Sequence, residues 1–84
     1  MLGKRQRAIL QLMTEGWELG QGLDFYGRCW MQKGGLGKGG PAKHDISSDV
    51  VFVLYKKGYI KVKYRRFPTE AFAITELGKS MLRG

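Results

Sequence analysis

Two stretches of the chain repeat their apolar residues with helical spacing. In the first, Lys4 to Glu15, Ile9, Leu12, Met13 and then Trp17 fall at i, i+3, i+4 and i+8, the stripe of a helix with one apolar side. Lys4, Arg5, Arg7 and Gln11 take the other side, and Gly16 is placed to end it. In the second, Ile46, Val50, Val53 and Leu54 predict a helix over 46–57, with Asp45 or Ser47 as N-cap, Lys56 and Lys57 in the last turn and Gly58 as the stop. The β-branched Val50, Val51 and Val53 pull toward a strand, but the cap, the lysines and the glycine favour the helix.

After Gly58 the period becomes two. Ile60, Val62 and Tyr64 alternate with Lys61, Lys63 and Arg65, a strand with one apolar and one cationic face. Phe67-Pro68-Thr69-Glu70 reads as a turn, and Phe72 and Ile74 alternate again on the way back. Thr75 then caps a short last helix through Leu77, Met81 and Leu82, with Glu76 at its positive end.

Between the two helical patterns, Gly16 to Gly40 holds most of the chain's thirteen glycines. Within it, Phe25 to Gln32 is rich in aromatics without a helical stripe, which predicts one or two short strands. The run Gly34-Gly35-Leu36-Gly37-Lys38-Gly39-Gly40-Pro41 cannot hold regular structure cheaply, so a flexible loop is expected over 33–43.

Size and charge narrow the function. Eighty-four residues make one domain over 1–84, too small for a barrel or a doubly wound sheet, and 43% hydrophobic content is too much for a disordered basic tail. Fifteen Lys and Arg against seven Asp and Glu give a formal charge of +8, which calls for an anionic partner, most commonly nucleic acid. A lone cysteine, Cys29, and a lone histidine, His44, leave no internal disulfide and almost no ligands for a metal, so no metal or cofactor is expected. The basic start is a poor signal peptide and no apolar run spans a membrane, so a cytoplasmic protein is expected.

The segments Ser47 to Ile60, ending Leu54-Tyr55-Lys56-Lys57-Gly58-Tyr59-Ile60, and Phe72 to Lys79, reading Phe-Ala-Ile-Thr-Glu-Leu-Gly-Lys, resemble the recognition helix and the return strand of winged helix-turn-helix domains. The resemblance covers Ser47 to Leu82. It implies an α+β, winged-helix-like fold of three helices, with a C-terminal β-hairpin wing over 60–74 and a short extra strand. Where such domains place a helix before the recognition helix, Gly16 to Lys43 is glycine-rich and strand-like, so that helix would be shortened or replaced.

The chemistry concentrates in the hairpin. Lys56, Lys57, Lys61, Lys63, Arg65 and Arg66 lie within eleven residues that contain no acid. On a regular strand Lys61, Lys63 and Arg65 would share a face roughly 7 Å apart, close to the spacing of phosphates. The competing explanation is that these cations only keep an edge strand from pairing with other chains. At the start of the second helix, Lys43, His44, Ser47 and Ser48 surround free backbone N–H groups that suit a phosphate, although Ser47 and Asp45 also serve as plain caps. Phe52, Tyr55 and Lys56 are further candidates for the exposed face of this helix, which offers no Asn, Gln or Arg to read bases.

Other motifs are weaker. Gly35-x-Gly37-x-x-Gly40 lacks the unit that would make it a dinucleotide fingerprint, and Gly39 follows Lys38 where a P-loop needs Ser or Thr. Lys33, Lys38 and Lys43 make the loop a possible arm for a phosphate backbone or a partner protein. Trp17, Phe25, Tyr26 and Trp30 beside Arg28 suit stacking on unpaired bases, or simply the core.

These readings point to a non-enzymatic DNA-binding protein, a small transcriptional regulator of bacterial or phage type, monomer or homodimer. It would contact double-stranded DNA through helix 46–57 and the wing. The alternative is a protein-binding inhibitor or adaptor that turns the same basic face on a host nucleic-acid-handling enzyme.

Overall fold

The computed structural model describes residues 2–23 and 27–83. The elements run α1 (Lys4–Thr14), β1 (Trp17–Gly22), β2 (Cys29–Lys33), β3 (Ala42–Ile46), α2 (Ser48–Lys56), β4 (Ile60–Arg66), β5 (Thr69–Ile74) and α3 (Glu76–Arg83). The strands form one antiparallel sheet in the order β3-β2-β1-β5-β4.

This topology overturns the winged-helix expectation. Three strands, not a helix, lie between α1 and α2, so no helix-turn-helix can form. The β4–β5 hairpin forms, but as one flank of a five-stranded sheet that dominates the fold and not as a wing beside a helix-turn-helix. The physical reason is a period of two inside the glycine-rich segment. Leu19 faces Met31 across β1 and β2, and both are fully buried. Trp17, which completes a helical stripe in the sequence, instead opens β1 after the left-handed Gly16.

One face of the sheet carries the core. Leu10 of α1, Leu19, Met31, Val51 and Leu54 of α2, and Ile60 are its fully buried side chains, each contributing about 1.5–3 kcal/mol through removal from water. Helix α1 packs on α2, α3, β1 and β5. Arg7 of α1 donates to the carbonyls of Met81 and Leu82, at 3.4 and 3.3 Å, where α3 ends and a cation complements the helix dipole. The Thr75 cap forms as its position suggests, Oγ1 accepting the Gly78 N–H at 3.0 Å. Ser47 occupies the N-cap of α2 but makes no side-chain capping bond.

The opposite face bears no helix and is floored by small residues, Gly20, Ala71 and Ala73. The segment 34–40 folds back onto it. Gly34 N–H donates to Gly16 O at 2.8 Å, Leu36 N–H to Glu18 Oε1 at 2.9 Å and Gly37 N–H to Gln32 Oε1 at 2.9 Å, while Gln32 Nε2 donates to Gly40 O at 2.9 Å. The side chains of Leu36 and Trp30 fill the space a Cβ on Gly20 would need. Pro41 O accepts from Lys33 N–H at 2.9 Å, and the chain enters β3 at Ala42, so strands take both ends of the expected loop.

Candidate nucleic-acid interface

Strand β4 is an edge of the sheet, and the hairpin cations are arrayed along it. They do not share one face. The β4–β5 register shifts between Val62 and Tyr64, a bulge that puts one extra residue in β4. Before it, Lys61 lies opposite Ala73 on the helix-free face. At it, Lys63 and Tyr64 both turn to that face and reach Glu18. After it, Arg65 lies opposite Glu70 on the helix side and Arg66 opposite Thr69 on the other.

Two of these cations have acidic partners distant in sequence or hidden in the return strand. Lys63 Nζ donates to Glu18 Oε2 at 2.9 Å, and Arg65 Nε to Glu70 Oε2 at 2.7 Å. Burial alone would raise the Glu18 carboxyl, but bonds from the Leu36 N–H, Lys63 and Tyr64 hold it below its ordinary value. The same bond to Glu18 raises the Lys63 ammonium, and burial followed by the Glu18 charge raises the Tyr64 phenol. Lys57, Lys61 and Arg66 are exposed and have no acidic partner among the described residues. Arg66 lies 5.7 Å from the centre of the Tyr64 ring, and Lys56 lies 5.6 Å from that of Phe52.

The remaining sequence candidates lie elsewhere. Lys43 and His44 are exposed on β3, the opposite edge, and Ser47 and Ser48 open α2 beside them. Since α2 carries the chain from the β3 edge to the β4 edge, the candidates at its two ends lie on two separate surfaces, and the first also carries the exposed Asp45 and Asp49. Lys56, Lys57, Lys61, Lys63, Arg65 and Arg66 belong to the second.

The structure adds a groove between α2 and the hairpin, with a volume of about 240 Å³. Gln21, Ser48, Phe52, Tyr55, Arg65 and Glu70 line it over a floor of Val51, Val62 and Phe72. Phe52 is 59% and Tyr55 50% exposed, whereas Glu70 is buried. The edge of Tyr55 packs on Phe72, with ring centres 6.2 Å apart. The i, i+3 spacing of Phe52 and Tyr55 on α2 was visible in the sequence. The contributions of Gln21 and Glu70 were not, since they come from β1 and β5 and depend on strand pairing.

Two aromatics of the glycine-rich segment, Trp17 and Trp30, serve packing. Trp17 rests against the core and Trp30 on Gly20, both half-buried, while Phe25 and Tyr26 lie outside the described residues. Cys29 is buried, and burial pushes its thiol up to about 11. The amides of Gly34, Leu36 and Gly37 are already spent on Gly16, Glu18 and Gln32, so the loop offers no phosphate cradle there. Among the described residues no three of His, Cys, Asp and Glu gather as metal ligands, and no helix is long and apolar enough to cross a membrane.

The chain matches no protein-family model, no curated protein and no solved structure.

Proposed function

We propose that the protein binds DNA with the β4 edge and the adjoining end of α2, as a non-enzymatic module of the cytoplasm. The observation that carries this reading is the row of Lys57, Lys61 and Arg66, exposed without acidic partners along one edge, in a chain of net charge +8. Such a row attracts a phosphate backbone and releases its counterions. Lys63 and Arg65 extend the patch with part of their charge offset by Glu18 and Glu70. Replacing Lys57, Lys61 and Arg66 together by Ala removes charge without touching the core. Binding to DNA should weaken strongly at low salt, and the slope of log affinity against log salt should shrink by about 2 on a single strand and about 3 on a duplex. Wild-type binding that ignores salt, or is unchanged in the triple variant, refutes the proposal.

An acidic protein partner is the second reading, favoured by Phe67, which stands 81% exposed at the hairpin tip. A stoichiometric protein complex, with no DNA retained at moderate salt, selects it.

A further inference from the structure

The groove between α2 and the hairpin combines two exposed rings and an apolar floor with one cation, Arg65, and Lys56 lies 5.6 Å from the centre of the Phe52 ring, a combination that duplex DNA does not use. A duplex hides the faces of its bases, so Phe52 and Tyr55 would find nothing to stack on. Asp49, exposed in the first turn of α2, also opposes close approach of a second phosphate strand. An unpaired strand presents both features found here: base faces for the rings, and phosphates for Lys56 and Lys57 at the end of α2, while Lys61 and Arg66, on the other face of β4, would meet phosphates that pass over the edge.

We infer that this groove receives an unpaired thymine of single-stranded DNA, stacked against Phe52 or Tyr55 while its phosphates follow the β4 edge. The inference rests on the DNA-binding reading above and specifies its ligand. Three observations select the base. The floor of Val51, Val62 and Phe72 is apolar and suits the 5-methyl group that distinguishes thymine from uracil, hence DNA from RNA. Glu70 lines the groove with Oε2 held by Arg65, and its Oε1 accepts no hydrogen bond from the described residues, leaving an acceptor for the thymine N3–H. Gln21 and Ser48 provide further polar groups on the walls for the base carbonyls. Arg65, 65% exposed, balances Glu70 so that the carboxylate does not repel the strand.

The test is fluorescence anisotropy with labelled oligonucleotides, using the full chain at low salt. A fifteen-nucleotide oligo-dT should bind more tightly than a fifteen-base-pair duplex, and more tightly than oligo-dU or oligo-U by a few-fold. Phe52→Leu and Tyr55→Leu keep an apolar side chain on the helix, and circular dichroism confirms that each folds. The variant that removes the stacking ring should weaken oligo-dT binding about tenfold while leaving the salt slope unchanged, because no phosphate contact is lost. A Phe52→Trp variant should bind oligo-dT with quenching of the new indole.

Duplex binding as tight as oligo-dT, or oligo-dU or oligo-U binding as tight as oligo-dT, overturns the inference. So does displacement of oligo-dT by poly-glutamate at equal charge concentration, which assigns the groove to an acidic protein segment. If both Leu variants bind like wild type while the Lys57, Lys61 and Arg66 triple variant does not, the DNA-binding reading stands and the thymine site falls. If wild type binds no oligonucleotide or duplex at low salt, both fall together.

Discussion

Glu18 of β1 and Lys63 of β4 form an ion pair of 2.9 Å across an intervening strand. The reach is possible because β5, which separates them, presents the small side chains of Ala71 and Ala73 between them on that face. Glu18 also accepts from the Leu36 N–H, so one carboxylate ties the β4 edge to the 34–40 loop.

Stability should therefore depend on pH through Glu18. Its carboxyl lies lower in the folded protein than its ordinary value of 4.5, so folding favours the ionised form. That contribution is present above the ordinary value and is lost as pH falls through the depressed folded one. Chemical denaturation of wild type and Glu18→Gln should show wild type more stable at pH 7, with the difference closing in acid below the ordinary value. A difference independent of pH would contradict this role.

Gly78 should not tolerate a side chain. A Cβ there would meet the Tyr59 carbonyl oxygen at 2.2 Å and Ile74 Cγ1 at 2.9 Å. The first is backbone and cannot swing aside, so Gly78→Ala should cost about 1–3 kcal/mol, read from the urea midpoint. At Gly20 the nearest atom is the flexible Leu36 Cδ1, at 2.6 Å. Gly20→Ala should instead dislodge the loop, which hydrogen exchange at Leu36 and Gly37 would report as faster.

Leu19 lies fully buried at the centre of the sheet. Truncating it to Ala should cost about 2–5 kcal/mol, whereas Phe52→Ala should cost little stability because Phe52 is mostly in water. Thermal unfolding of the two variants separates core from surface.

The Cys29 thiol is buried and raised to about 11. At pH 8 it is overwhelmingly protonated and out of reach, so a thiol reagent should react slowly with the native protein and quickly once it is denatured. The ratio of the two rates checks the burial.

The sequence showed three kinds of signal with different success. Local periodicity located α1, α2 and the alternating strand from Ile60, because each depends on neighbours within a few residues. The aromatic run Phe25 to Gln32 anticipated β2, Cys29–Lys33, whereas β1 and β3 were largely hidden, since Gly20 and Gly22 interrupt an alternation carried by Trp17, Leu19 and Gln21. Strand β3, Ala-Lys-His-Asp-Ile, has apolar residues only at its two ends, too far apart to show an alternation. The winged-helix resemblance rested on Ser47 to Leu82 and carried no information about which strand β5 would meet. The cationic row was legible as a cluster, but its division between two faces follows from a bulge that no residue spacing advertises. Its partial neutralisation depends on Glu18, far from it in sequence.

The pairing of β1 with β5 bears on how the chain acquires its fold during synthesis. Leu19 meets Phe72, more than fifty positions later, and that strand joins the first three to the last two. A ribosome therefore releases α1 and the strands β1 to β3 with one side of β1 still open, and the sheet closes only once β5 has emerged. Closing so distant a contact costs loop entropy before it repays any. The nascent protein must carry Leu19 and its neighbours without their final cover until the last strand arrives.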